Sequence, residues 1–289
     1  MVERRPLAAD QGQAEAVRRA FGQRFGREPA VLVRVPGCMQ PLGAETAVHA
    51  GLVLAAATEP SVVVAAAPTE QPRATIQKLT SGETCAFSLP ALALEGAPTT
   101  SAWVNLPIGA AWALQQSGRR PVGLAAVVGG DLPMGLGLGA KTAVLYAFVL
   151  VWERLAGWRL PEAARRHLVA SAETAYLGLG ANKAAALVAG QARRGHFLHS
   201  DLRDESVTHL PLPRETAVVL AAVGDAAATV SEADVSRAVA YFRSRLGAST
   251  AWRDVTLADF ERLADNLPAG SRRAAWQIVA DCHRLPLAL

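Results

Sequence analysis

Cysteine is scarce and scattered. Cys38, Cys85 and Cys282 are the only three in 289 residues, with no CxxC pair and no Cys/His cluster. That spacing excludes a disulfide scaffold and the usual zinc sites, so reduced thiols are expected. Long apolar runs are also missing. The longest, residues 144–152, is far shorter than a bilayer span and is flanked by Lys141 and Glu153, so no membrane partner is expected. The opening Met1-Val-Glu-Arg-Arg-Pro leads into polar residues, which reads as no secretory signal and a cytoplasmic chain. Runs of one charge are lacking too. The net charge is +4 with a pI near 9.3, yet the arginines are dispersed and not interleaved with aromatics. That excludes a nucleic-acid tract and suits a small anionic ligand or an acidic partner better. With 6% aromatic but 51% hydrophobic residues, the core must be built mainly from Ala, Val and Leu, and the length suffices for one large domain or two modest ones.

Periodicity and turn residues predict a helix over 11–25 and a strand over 30–35 that stops at Pro36-Gly37. Short Val/Leu/Ala runs at 51–57, 61–67 and 84–89 read as strands of a mixed or mainly antiparallel sheet, and 103–116 as a helix. Residues 122–128 form a buried strand, 129–139 a glycine-rich loop and 140–155 a helix. A second helix starts at Pro161 and runs to 176. Residues 210–213 read as a linker between domains at 1–209 and 214–289. A strand over 216–223 follows, then a helix capped by Ser231 with Asp234 three residues on, a helix from Thr256, and a last helix over 271–283.

The strand, loop and helix around Gly135, Gly137 and Gly139 are the most informative unit. Bare backbone N–H groups and the positive end of the helix dipole can together hold an anion there. The same glycines would also let a helix pack close to a sheet, and both readings stand. Gly139-Ala-Lys-Thr142 approaches a Walker A ending, but Ala140 occupies a position that motif gives to glycine, so a P-loop NTPase is a poor match.

Gly130-Asp-Leu-Pro-Met-Gly-Leu-Gly-Leu-Gly-Ala-Lys-Thr-Ala143 resembles the second motif of the GHMP kinases, the loop that wraps ATP phosphates. The serine triplet that normally follows is replaced by Gly139, Ala140 and Lys141. Upstream, the segment from Arg34-Val-Pro-Gly-Cys-Met-Gln-Pro-Leu-Gly to Leu54 resembles the first motif of the galactokinases in that superfamily. Cys38 stands where the family has its catalytic arginine, and Ala44-Glu45-Thr46-Ala47 where it has a Glu-His-Thr-Asp sugar-binding run. Further likenesses at Trp103-Val-Asn105, Ala172-Glu173, Arg194 to Arg203 and Trp252 to Phe260 extend the resemblance across most of the chain. It implies an α+β, GHMP-kinase-like two-domain fold, with an N-terminal mixed or antiparallel sheet plus helices and a shortened C-terminal α+β domain. The family's acid would fall at Ala185 counting back from Gly195-His196, or at Lys183 counting forward from Gly180. Neither is acidic, and the family's third, glycine-rich motif is not met before Leu289.

By that resemblance the arginine, the acid and the metal-side serine are all replaced, which predicts loss of ATP-dependent phosphoryl transfer, with no metal and no cofactor. Gly135, Gly137, Gly139, Lys141, Thr142 and Lys183 are then expected to hold an anion, and Glu45, Asp131 and Lys141 to carry chemistry. The expected reaction is elimination of sulfate or phosphate from an anionic or carrier-protein-bound intermediate of secondary metabolism, possible ring closure included. A non-catalytic pseudokinase subunit and a residual galactokinase-like kinase are the alternatives. The bland reading leaves Lys141 in solvent, Asp131 capping a turn and Glu45 as surface charge. Cys38 is either a nucleophile or a small core residue. The C-terminal elements are expected to need cover from a small partner subunit, as a heterodimer, or from a second copy.

Overall fold

The computed structural model of the protein describes residues 8–43, 51–90, 92, 103–213, 215–221, 231–247, 250 and 252–288. Contacts divide them into two compact units, one drawn from residues 1–38 and 58–191, the other from 39–57 and 192–289. Residues 192–209, which the sequence assigns to the first domain, thus belong to the second unit.

The first unit contains α1 (Ala8–Phe25), most of β1 (Val31–Leu42), the C-terminal part of β2 (Leu52–Thr69), β3 (Arg73–Lys78), β4 (Thr84–Ser88), α2 (Asn105–Gln116) and β5 (Gly123–Gly130). Helices α3 (Ala140–Leu155) and α4 (Glu162–Ser171), a π-helical turn (Ala172–Tyr176) and α5 (Lys183–Gln191) complete it. Its sheet is mixed. β5 pairs antiparallel with β2, from Val62 opposite Gly130 to Thr69 opposite Gly123, and parallel with β3. β3 pairs antiparallel with β4.

Both faces of this sheet are covered, which explains why residues 62–67 read as an unbroken apolar run and not as an alternation. Successive side chains point to opposite faces. Val62, Val64 and Ala66 join Ile76 and Ala126 in the core beneath α2 and α3, while Val63, Ala65 and Ala67 pack with Val17 and Phe21 of α1. Helix α3 is apolar nearly all round, as a helix buried on most sides must be, and Trp152 Nε1 donates to the Val122 carbonyl at 3.0 Å.

One charge is buried with α3. Glu153 is 6% exposed, and its carboxylate accepts from Arg165 Nε at 2.6 Å, from an Arg165 terminal nitrogen at 2.8 Å and from the Leu160 N–H at 3.0 Å. These bonds fasten the start of α4 to the end of α3.

In the second unit the N-terminal part of β2 pairs antiparallel with β6 (His196–Asp201), Leu52 opposite Asp201, and β6 pairs with β7 (Ser206–Pro211). Helices α6 (Glu232–Leu246), α7 (Leu257–Leu263) and α8 (Ala269–Ala288) enclose Phe242, Trp252, Phe260, Ile278 and Val279. Ser231 caps α6 by accepting the Asp234 N–H at 3.1 Å, and Thr256 with Asp259 forms a full capping box on α7. Arg253 pairs with Asp201.

Three expectations are corrected. The first strand does not stop at Pro36-Gly37 but continues to Leu42, because Gly37 has no side chain where a Cβ would meet Leu132 Cδ1 at 2.4 Å and Thr58 Oγ1 at 2.6 Å. The runs at 51–57 and 61–67 are one strand. What reads as a break at Pro60 is where β2 exchanges pairing with β6 for pairing with β5, and Arg34 ties down this changeover by donating to the Glu59 carbonyl and the Ser61 hydroxyl. The described part of 216–223 is exposed and not a strand, since a β-forming sequence needs a neighbouring ladder and none of the described strands provides one. No helix among the described residues is long and apolar enough to cross a membrane.

The Glu153 pair yields a stability prediction. Burial pushes its carboxyl up, but the Arg165 hydrogen bonds, the Leu160 N–H and the charges of Arg165 and Arg154 together bring it below the ordinary value. A lowered acid contributes stability above its unfolded pKa and loses it as pH falls through the folded one. Arg165→Ala is therefore expected to cost about 2–4 kcal/mol at pH 7, somewhat below a fully buried pair. Denaturant melts should show the gap from wild type narrowing below about pH 4.

Candidate functional site

β5 ends at Gly130, where a Cβ would lie 2.0 Å from the Ser61 carbonyl, and the chain then loops to α3. Gly135, Gly137 and Gly139 all have φ between 65° and 87°, the left-handed region that glycine enters without strain. The first two lie in open space. Gly139 does not: a Cβ there would stand 2.7 Å from Ala185 Cβ and 3.4 Å from Cys38 Cβ. Gly139 is the N-cap of α3 and offers no side-chain cap, so the first N–H groups of the helix are left for a ligand.

The first turn of α3 carries Lys141 and Thr142. Thr142 is 2% exposed and donates its hydroxyl to Glu173 Oε1 at 2.5 Å. Glu173, 3% exposed, lies in the π-helical turn after α4, and its Oε2 accepts the Asn182 N–H at 2.9 Å. Asn182 in turn caps α5, its Oδ1 accepting the Ala185 N–H at 3.0 Å. Burial pushes the Glu173 carboxyl above its ordinary range, against the pull of Thr142, the Asn182 N–H and the charge of Lys141. A carboxylate and a hydroxyl so placed beside an anion loop are hard oxygen donors for a divalent cation. Magnesium typically takes one or two carboxylates and fills the rest of its shell with phosphates and water. Among the described residues no group of three or more His, Cys, Asp or Glu gathers, so a cation here would draw on this pair and its ligand.

The sequence-predicted residues are distributed unevenly. Gly139, Lys141 and Thr142 come together at the start of α3, and Lys183 opens α5 immediately after Asn182. Lys141 is exposed and Lys183 half-buried. Asp131 is exposed, and its Oδ1 accepts the Ser61 N–H at 2.9 Å, which fixes the turn after β5. Glu45 lies outside the described residues. Cys38 is buried and its N–H donates to the Leu138 carbonyl at 2.9 Å. Of the two positions counted for an acid, Ala185 is the one packed on Gly139.

Glu173 as a site residue was missed. Its signal was an acid within the apolar stretch Ala170 to Tyr176, but its partner Thr142 is 31 positions away. A second feature had no local signal at all: a cavity of about 200 Å³ beside the loop, lined by Val62, Trp103, Leu106, Val128, Leu132 and Met134. Trp103 is fixed there by donating its indole N–H to Glu83 Oε2 at 2.6 Å. An apolar slot walled by an aromatic next to an anion loop suits a nucleotide, base in the slot and phosphates at the glycines.

No protein-family model matches the chain. It is 27% identical to the galactokinase of Homo sapiens over 278 residues, covering 94% of this chain and 70% of that one. It spans about half of other galactokinases that it matches. Lactococcus lactis galactokinase, solved with galactose, superposes with a TM-score of 0.79 at 16% identity, covering 94% of this chain and 72% of that one. Methanococcus jannaschii mevalonate kinase superposes with a TM-score of 0.52 at 12% identity, covering 64% and 56%. These findings bear out the α+β, GHMP-kinase-like fold.

They overturn the expected reaction. A lyase or cyclase that eliminates an anion without ATP has no support among relatives that are sugar kinases. That reading comes from counting replaced residues in two motifs, whereas the fold sets the Thr142 hydroxyl of the second motif against a buried carboxylate, Glu173, from outside both.

The close approach of α3 and α5 can be tested directly. Gly139→Ala combines a left-handed alanine with a contact below 3.0 Å and is expected to destabilise by about 2–4 kcal/mol, whereas Gly135→Ala has only the backbone term. Thermal melts of the two variants measure the difference.

Proposed function

This chain is a galactokinase-like member of the GHMP kinase superfamily, and on that premise we propose that it is a small-molecule kinase, passing the γ-phosphoryl group of ATP to a hydroxyl of a sugar-like acceptor. The observation that carries the reading is the buried Thr142–Glu173 pair at the foot of the glycine loop.

The Trp103 slot takes the base, and the N–H groups of the loop and of the first turn of α3 hold the phosphates. Glu173 and Thr142 are the residues that would hold Mg²⁺, which when bound neutralises charge developing on the phosphates. Lys141, one residue before Thr142, adds a cation whose charge acts on Glu173. The acceptor oxygen bonds to the γ-phosphorus, and the bond from phosphorus to the bridging oxygen breaks with its electron pair leaving on ADP. Phosphoryl transfer proceeds through a loose transition state in which positioning and charge neutralisation dominate. The hydroxyl proton then leaves late, to an oxygen of the transferred group, and a dedicated base is dispensable. A cation on the transferring group is nevertheless worth about 10³–10⁵ in rate. Cys38 supplies none, so turnover is slow.

Incubating the purified chain with Mg²⁺-ATP and galactose or related sugars, and following ADP release, tests the proposal. ADP release that depends on the acceptor is expected. Glu173→Gln should abolish it while Trp103→Ala raises KM for ATP about tenfold, the usual scale of a lost stacking contact. Absence of Mg²⁺-ATP binding, or binding with no transfer to any acceptor, would overturn it.

A further inference from the structure

The cavity beside the glycine loop has a charge in its wall. Strand β3 runs from Arg73 to Lys78, and its alternate residues Ala74 and Ile76 are wholly buried in the core beneath α2 and α3. The period of two puts Lys78 on that same face, at the end of the strand and opposite Val128 of β5. There it lines the cavity together with Val62, Trp103, Leu106, Val128 and Met134. Its backbone is tied on every side. Its N–H donates to the Glu83 carbonyl at 2.8 Å, its carbonyl accepts from the Gly82 N–H at 2.9 Å, and the Leu79 N–H donates to the Val128 carbonyl at 2.8 Å. The side chain is half-buried, and among the described residues its ammonium has neither a hydrogen bond nor an ion pair. Glu83, across the turn, takes the Trp103 indole N–H instead and is not among the described residues that line the cavity.

Lys78 is also the one charged side chain among the described residues that wall this cavity. An ammonium partly out of water, against apolar walls, is stabilised by an acceptor, and a ligand in the cavity can supply one. Stacking against Trp103 does not choose among bases, because every base has a π-face. Thr80 can donate or accept and discriminates little, so selection falls to Lys78. An ammonium only donates. Guanine and hypoxanthine present O6 and N7 as acceptors side by side on one edge, whereas adenine sets its N7 beside an amino group that is itself a donor. Resting on the kinase reading above, we propose that Lys78 reads the edge of the base, and that the phosphoryl donor this chain prefers is a 6-oxopurine nucleoside triphosphate, GTP or ITP, over ATP.

The experiment measures binding of Mg²⁺-ATP, Mg²⁺-GTP and Mg²⁺-ITP to the full-length chain by calorimetry, and release of nucleoside diphosphate from each with galactose and related sugars as acceptors. GTP and ITP should bind more tightly than ATP by about tenfold or more, the discrimination that a lysine exerts through O6 and N7. Lys78→Met keeps the apolar stem and removes the charge. It should weaken GTP and ITP by about tenfold and leave ATP nearly unchanged, while Lys78→Arg should keep the preference. With an acceptor that supports turnover, the same changes should appear in KM for the nucleotide and not in kcat. Equal melting temperatures for the variants and wild type show that the fold is kept. A preference for ATP, equal affinity for all the nucleotides, or an equal loss of all of them in Lys78→Met overturns the proposal while leaving the kinase reading standing. Lys78-dependent binding of GTP or ITP with no transfer to any acceptor supports the base contact and sinks the kinase reading instead. Binding of no nucleotide at all overturns both.

Discussion

Glu173 is the residue on which the arrangement of this site depends. A carboxylate 3% exposed is costly to bury, and it is tolerated because each oxygen is occupied: one by the Thr142 hydroxyl from the first turn of α3, one by the Asn182 N–H at the entry to α5. These two bonds fix where both helices begin. They also set how the glycine loop meets α3, and they leave a desolvated negative group beside the place where phosphates would lie. The π-helical turn at Ala172–Tyr176 has the same origin, for π turns occur where a functional side chain must be re-aimed within a helix.

Around this carboxylate the protein has made room by removing side chains. Gly139, Ala185 and Cys38 meet where anything larger would separate α3 from α5, and the sheet beneath is built from Ala and Val on both faces. Small residues permit close approach but specify little chemistry, so the chemistry falls to what stands around the contact. On one side that is the Trp103 slot; on the other, the lysines. The charge of this site therefore differs from an arrangement with an arginine and an acid. Among the described residues it brings together Lys141, Thr142 and the buried Glu173.

The second unit has a core of its own. This core centres on Phe242, whose ring contacts both Trp252 and Phe260, and α6 and α7 start at side-chain caps that the sequence announces plainly. Caps are local, set by residues three apart. That is why the starts of α6 and α7 could be read without any tertiary information, while the run at 216–221, apolar and β-branched, could not be placed: strand formation waits on a partner.

What the sequence determined by itself follows from the range of the interactions involved. The β5–loop–α3 unit, the left-handed glycines, the capped helices and the likeness to the GHMP kinases all rest on residues near each other in the chain or in continuous motifs, and each was legible. The continuity of β1 through Gly37 and of β2 through Pro60 was not, because what sustains them is a missing Cβ facing Leu132 and an arginine reaching from position 34 to 59 and 61. The candidate site divides in the same way. Lys141, Thr142 and the glycines were visible as a motif, but Glu173 acquires meaning only when the turn after α4 brings its carboxylate to 2.5 Å from the Thr142 hydroxyl. The cavity beside the loop is walled by residues of β2, β3, β5, the loop, α2 and α3. Counting substitutions along the chain suggested that kinase chemistry had gone; only the tertiary structure could set a hydroxyl against a buried carboxylate 31 residues on, since burial and long-range pairing are properties of the packed chain and not of any segment of it.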